Sequence, residues 1–458
     1  MTHYLADLVA PLDALLLKGD ADPTTRAIMT CALVLSEEPD MDRLIDAFDR
    51  ATREVPRMRQ RVAGPSWIRS QAEWVPDDKF AVADHLRRVG APGDRSMAAV
   101  LEMAGESATA PFDPARPLWD ATLVTGVQDA RAVMLLRVHH AIADGVRAIH
   151  MMANLLDLEP NPSKVELPVL EQRGSGLAAV RDDLVRTTSQ AMLTQQRRAD
   201  FIARQMFDLA WRPVGAVSRV AVYTRSAVRT HADGGAKPSP LLRQRSRTRK
   251  FATLEFALDD ARAAAKGASA TVNDLFLAGL LGGMRRYHEA LGAPVADLPI
   301  SFPVDVAGNA APDSGNHFSA AVIPGPCTIA DPGERLRAVH KLVVSRRYEP
   351  GLDAPLRLAP ILRQMPSSLA KAALSAYARR VDLQASNIVG PDCALFLAGA
   401  NIERFYAFGP LPGVPAMAVL VSHQGVCTVG FTIDPAAVTD PGLLIASTRE
   451  SFAELIDS

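Results

Sequence analysis

A chain of 458 residues, 48% hydrophobic and 22% charged, has ordinary globular composition and exceeds the size at which one core usually stops growing, so two domains are expected. Its 50 basic and 51 acidic residues leave a net charge of −1, which argues against a nucleic-acid binder. The four cysteines, Cys31, Cys327, Cys393 and Cys427, form neither a CxxC pair nor a dense disulfide pattern, as expected in a reducing cytosol. Met1–Asp7 lacks the basic start of a cleaved signal, and no run of about 18 uncharged apolar residues predicts a spanning helix.

Along the chain, Ala132–Val138 is short, apolar and bounded by a turn signal at Gln128-Asp129, and reads as a buried strand. Val146, Ile149, Met152, Leu155 and Leu156 recur at helical spacing, predicting a helix from Val146 to about Leu158. Between them lies His139-His140-Ala141-Ile142-Ala143-Asp144-Gly145. Consecutive strand residues point to opposite faces, so one histidine is expected to serve the chemistry and the other the scaffold. Imidazole, with an unperturbed pKa of about 6.5, suits a general base acting on a hydroxyl. Asp144 can hold an imidazole or fasten the loop to a cation elsewhere, and Gly145 allows a close backbone approach. A chance histidine pair beside an ordinary Asp-Gly turn stays open as the alternative. No metal site is expected, because the opposed faces spoil a shared centre and no cluster elsewhere supplies the remaining ligands.

Asn161-Pro162-Ser163 and Gly174-Ser175-Gly176 mark a composition shift that suits a crossover. From Arg186 to Lys250 the chain is markedly basic with interleaved apolar residues, a pattern that suits an anionic membrane surface, the phosphates of CoA or a solvated linker helix. The expected division is therefore 1–160, a basic crossover at 161–250, and 251–458. Thr271-Val272-Asn273-Asp274 leads into an apolar helix from Leu275 to about Leu291, with Thr271 and Asp274 spaced as a capping box and Gly292 as the stop. Asn273 is both a capping-region residue and a candidate oxyanion donor. Strands are expected at Ala320–Ile323 and Ala418–Val421, and a helix at Ser368–Arg380. Ser386-Asn387 precedes a Gly390-Pro391 turn.

The heptad matches the HHxxxDG signature of the CoA-dependent acyltransferase superfamily. With Pro11–Leu17, Val55–Arg61, Pro117-Leu118-Trp119-Asp120, Thr271–Asp274, Pro303-Val304, Gly315-Asn316 with Ser319, and Ser386–Pro391, it resembles the bacterial wax ester synthase/diacylglycerol acyltransferase family. The resemblance implies a mixed α/β (α+β) fold of two chloramphenicol-acetyltransferase-like domains, each with a central mixed sheet flanked by helices, and an active-site tunnel at their interface. It further implies that His140 is the general base, that Asp144 is mainly structural, and that His139 and Gly145 shape the loop. Asn273, Gly145, Ser386 and Asn387 are then oxyanion or substrate-binding residues. Pro117, Leu118, Trp119, Asp274, Gly390 and Pro391 are structural near the site. The implied partners are acyl-CoA, as substrate and with no resident cofactor, and diacylglycerol or another lipid alcohol. The implied location is cytoplasmic, peripheral on the inner membrane face or on lipid droplets. A lipid-binding paralogue with little catalysis and a condensation-type enzyme using a carrier-protein thioester stay open beside it. The departures are Asp120 where the family's PLWE element has Glu, Pro240–Arg245 in place of a PLNG-like stretch, and His423-Gln424-Gly425 where a Tyr or Asn is common. They put acceptor preference in doubt more than reaction type.

Overall fold

A computed structural model describes residues 8–64, 72–128, 131–142, 151–162, 213–231, 235–305, 318–354, 358 and 366–457. In the first part of the chain the strands are β1 (Ile28–Leu35), β2 (Gln60–Ala63), β3 (Glu73–Pro76), β4 (Leu86–Gly90), β5 (Trp119–Thr125) and β6 (Ala132–His139), with helices α1 (Pro11–Gly19), α2 (Met41–Glu54) and α3 (Met97–Ser107). After α4 (Pro213–His231) come β7 (Lys250–Ala257), α5 (Leu258–Gly267), α6 (Val272–Ala290), β8 (Asp297–Asp305), β9 (Phe318–Pro326), α7 (Pro332–Arg347) and α8 (Ser367–Ala378). The last stretch supplies β10 (Leu383–Val389), β11 (Phe396–Leu397), β12 (Ala400–Phe408), β13 (Ala416–His423), β14 (Val426–Ile433) and α9 (Pro441–Ile456).

Two six-stranded sheets organise these elements, in the orders β11-β12-β1-β6-β5-β4 and β7-β14-β13-β10-β8-β9. Both are mixed: β4 runs parallel to β5, and β10 parallel to β13 and β8, among antiparallel pairs. β6 sits between β1 and β5, and all eight of its residues are buried, which explains its unbroken apolar run in the sequence. The first sheet is completed from far downstream, since β12 pairs along the outer edge of β1, with Thr30 opposite Phe408 and Leu35 opposite Ile402, and β11 pairs with β12 beyond it. Leu395, Leu397, Ala400 and Ile402 thus enter the core built by Leu33, Phe48, Trp119 and Leu136.

The expected helix from Val146 is described only at its end, where 151–155 is helical and Met151, Met152 and Leu155 are buried. The chain leaves the helix before Asp157, which exchanges backbone hydrogen bonds with Phe396 at 2.8 Å each way. That edge pairing outcompetes a further helical turn, and Leu158 is left exposed. Asp144 and Gly145, Ser163, Gly174-Ser175-Gly176, Gly315-Asn316 and the basic stretch from Arg186 to Arg212 lie outside the described residues. Among the described residues no helix is long and apolar enough to cross a membrane, and no cluster of ligating side chains could hold a metal ion.

Candidate functional site

The two histidines are separated as strand geometry requires. His139 is the last residue of β6, pairs with Ile28 across the sheet, and has a side chain fully removed from solvent. Its Nδ1 accepts the backbone N–H of Ala141 at 3.0 Å, which leaves the ring proton on Nε2. Nε2 lies 3.0 Å from the Asp20 carboxylate, off the line of a good hydrogen bond. His139 is thereby committed to the loop through Nδ1, with Nε2 beside the Asp20 carboxylate that follows α1. His140 begins the turn: its backbone N–H donates to the Ala27 carbonyl at 2.8 Å, and its side chain is only half-buried.

Pro117-Leu118-Trp119-Asp120 braces this strand end. The Leu118 carbonyl accepts the His139 N–H at 2.9 Å. Trp119, 1% exposed, donates its indole N–H to the Met58 carbonyl at 2.7 Å and stacks between Phe48 and His85, with centroids 5.5 and 4.6 Å away. Burial holds the His85 imidazole below its ordinary pKa, so a neutral ring stacks there. Asp120 forms a two-pronged ion pair with Arg137, the residue two before His139. The shorter carboxylate is thus matched to an arginine on the neighbouring strand.

On the second sheet the structure gathers other expected residues around a cavity of about 480 Å³. Its wall is Asn273 from α6, Phe302, Pro303 and Val304 from β8, Val343 and Arg347 from α7, Tyr348 just beyond that helix, and Asn387 from β10. Thr271 and Asp274 form a reciprocal capping box: the Thr271 N–H donates to Asp274 Oδ2 at 2.9 Å, and the Asp274 N–H donates to Thr271 Oγ1 at 3.3 Å. Asn273 therefore sits in the first turn of a 19-residue helix, whose positive end faces the cavity. Gly292, with φ of 68°, ends the excursion as the sequence predicted.

Ser386 and Asn387, adjacent on β10, are sent to opposite faces. Leu383 and Ala385 belong to the large core with α6, and Asn387 continues that face to the cavity. Ile388 packs with Ala407 and Val419 toward β12, and Ser386 shares that side. Gly390 donates its N–H to the Ser422 carbonyl at 3.0 Å, an approach that leaves no space for a Cβ. His423 donates from Nδ1 to the Pro391 carbonyl at 2.9 Å. The departure at His423-Gln424-Gly425 is thus a brace for the Ser-Asn-x-x-Gly-Pro block followed by a hairpin turn, with φ of 47° at Gln424 and 75° at Gly425.

Two arginines of the basic stretch turn inward. Arg245 donates to the Gly413 and Leu242 carbonyls at 2.6 Å each, and Arg249, 8% exposed, lies 3.5 Å from Asp434. These two serve the fold and not a surface. Burial pushes the thiols of Cys327 and Cys427 up to about 12 and about 11, which removes both as thiolate nucleophiles. His340 and the Val343–Arg347 wall carried no motif, and only their helical spacing could have pointed to them.

Comparison with known proteins identifies the family and the fold. A family profile described as the wax ester synthase/diacylglycerol acyltransferase catalytic domain matches residues 9–276, and that family's C-terminal domain matches 314–456. A Mycobacterium tuberculosis protein with the provisional name diacylglycerol O-acyltransferase is 35% identical over 99% of this chain and 92% of its own. A second so named in that organism is 28% identical over 84% of this chain and 82% of its own. Among solved structures, the wax ester synthase/diacylglycerol acyltransferase of Marinobacter aquaeolei VT8 is similar, with a TM-score of 0.66 at 19% identity over 98% of both chains. The starter condensation domain of rhizomide synthetase shares the fold at a TM-score of 0.57 and 14% identity, over 98% of this chain and 94% of its own. The chain belongs to the wax ester synthase/diacylglycerol acyltransferase family, with that family's two-sheet α/β fold.

Proposed function

We propose that the protein transfers a fatty acyl group from acyl-CoA to the hydroxyl of diacylglycerol or a long-chain alcohol, giving triacylglycerol or wax ester, with His140 as general base. The observation that carries this reading is the division between the histidines. One ring is fully buried with its Nδ1 held by the loop, and the other is half-exposed where the strand ends.

His140 takes the hydroxyl proton as the acceptor oxygen attacks the thioester carbonyl. A C–O bond forms and the carbonyl oxygen carries the negative charge. Asn273, in the first turn of α6, donates to that oxyanion, assisted by the positive end of its helix. Collapse breaks the C–S bond, and His140 returns the proton to the CoA thiolate, so the cycle balances without an acyl-enzyme. Asn387 holds substrate in the cavity it shares with Asn273, and Ser386 orders β10 beside it. Asp144 and Gly145 fix the loop. Both acceptor and product are lipids, so the enzyme works at the cytoplasmic face of a membrane or at a lipid droplet.

The test is release of free CoA thiol from palmitoyl-CoA with hexadecanol or a diacylglycerol. His140→Ala is expected to lower acceptor-dependent release by about 100- to 10,000-fold with the fold retained. Near-normal rates from this variant would remove His140 from its role. No release with either acceptor, from folded protein that still binds acyl-CoA, would favour a lipid-binding function on the same fold.

A further inference from the structure

α7 belongs to none of the recognised motifs, yet one of its stripes faces the candidate site. His340, Val343 and Arg347 recur at helical spacing; the last two line the cavity, and His340 points at the base of α6. Its Nδ1 lies 2.8 Å from Asp274 Oδ2, so that nitrogen carries the donated proton. Asp274 follows Asn273 directly and is 1% exposed. Its Oδ2 also accepts from the Thr271 N–H at 2.9 Å and the Thr271 hydroxyl at 2.8 Å, while Oδ1 is buried without a hydrogen-bond partner among the described residues.

An ordinary capping box is complete within its own helix and needs no third party. Here a carboxylate with one unsatisfied buried oxygen is retained, at the cost such a group carries, and is tied to a second helix. Thr271 ties Asp274 only within its own helix, and one turn further on Arg335 of α7 donates to the Ala278 carbonyl at 3.1 Å. The His340 contact is the α7 tie that reaches the N-terminal turn itself, at the residue next to Asn273, which lines the cavity. We propose that His340 is a positioning residue: through Asp274 it locks the first turn of α6 to α7 and so aims the Asn273 amide. This rests on the reading of Asn273 as an oxyanion donor.

The experiment compares His340→Ala, His340→Gln and His340→Asn in the full chain, with Asn273→Ala and the His340→Ala/Asn273→Ala double variant. It reads kcat, KM for palmitoyl-CoA, and melting temperature, with whichever acceptor supports turnover. An Asn amide nitrogen stands close to the place of Nδ1, whereas the Gln amide reaches past it. His340→Asn is therefore expected to keep kcat within about threefold. His340→Ala and His340→Gln are expected to lose about 10- to 100-fold in kcat, the scale of a small misplacement at a reacting centre, with KM little changed. In the Asn273→Ala background, His340→Ala should cost nothing further. If His340→Ala fails to fold, the Gln and Asn variants carry the same contrast. An undiminished kcat in folded His340→Ala, an additive loss in the double variant, or a loss in His340→Asn equal to that in His340→Ala would overturn the inference alone. Full activity in Asn273→Ala would overturn the reading of Asn273 and the inference with it.

Discussion

Asp382, Ser239 and His288 form a buried relay behind the second sheet, and its end groups titrate with opposite effects on stability. The Ser239 N–H donates to Asp382 Oδ2 at 2.6 Å, Ser239 Oγ meets His288 Nε2 at 2.8 Å, and His288 Nδ1 donates to the Met284 carbonyl at 2.8 Å. Burial raises the Asp382 carboxyl from 3.8 to about 6, only partly offset by the Ser239 hydrogen bond and then by Arg243 and Arg245, and lowers the His288 imidazole below 6.5. For Asp382 the folded state holds its proton more tightly than the unfolded chain, so its contribution is greatest below pH 3.8 and is lost as pH rises to about 6. The His288 contribution runs the other way: it is present above pH 6.5 and is lost as pH falls through the lowered value. Asp382→Asn keeps an oxygen for Ser239 and removes one titration. The variant-minus-wild-type stability should rise by about 1–3 kcal/mol between pH 4 and 6 and then level off, in urea melts across that range. A misfit of the amide would shift the whole curve and leave this slope, whereas a flat difference would show that Asp382 titrates normally. None of this relay was legible in the sequence, because its members are 49 and 143 residues apart and each type is common. His139 and His140 were separable because strand alternation is local, but Asp20, the partner of the buried ring, lies in another part of the chain.

At the scale of elements, α6 was the most legible because its signals are internal to it: Thr271 and Asp274 at the start, a continuous apolar run, and Gly292 at the stop. Its glycines mean something that only the partner helix reveals. Gly282 and Gly283 lie against α9, and a Cβ on Gly283 would stand 2.6 Å from the Thr448 Cα, a backbone atom that cannot swing aside. Helix propensity favours Gly283→Ala by about 1 kcal/mol, but overpacking of this kind costs more. The variant is expected to lose about 1–3 kcal/mol net by chemical denaturation, while Gly267→Ala, with nothing within 4 Å of its would-be Cβ, loses none. Equal behaviour of the two would mean that α6 and α9 can separate at no cost. α7 was illegible as a site element for the converse reason: its contact from His340 to Asp274 spans 66 residues.

The expected division into 1–160 and 251–458, with a crossover between, was read from composition, and composition does not report which sheet edge a strand will join. β12 reads as an ordinary strand of the later part, yet it closes β1 and seals the first core with Ala400 and Ile402. Its other face joins the second sheet: Thr428 and Thr432 of β14 donate their hydroxyls to the Phe405 and Gly409 carbonyls, and Glu255 of β7 binds both Arg404 and Tyr406. Gly430 passes so close to the Ala407 carbonyl that no side chain fits between. Residues 1–162 expressed alone would expose the whole outer edge of β1 and an open core, the conditions for edge-to-edge association. That fragment is expected to aggregate or to show no cooperative melt, and the full chain to unfold in one transition by calorimetry, fluorescence and circular dichroism alike. A soluble fragment with its own sharp transition, and two separated transitions in the full chain, would show that β12 is a dispensable strap. If unfolding is single, a substitution between α6 and α9 such as Gly283→Ala should lower the melting of the His140 strand as much as that of α6, because the two sheets then share one stability.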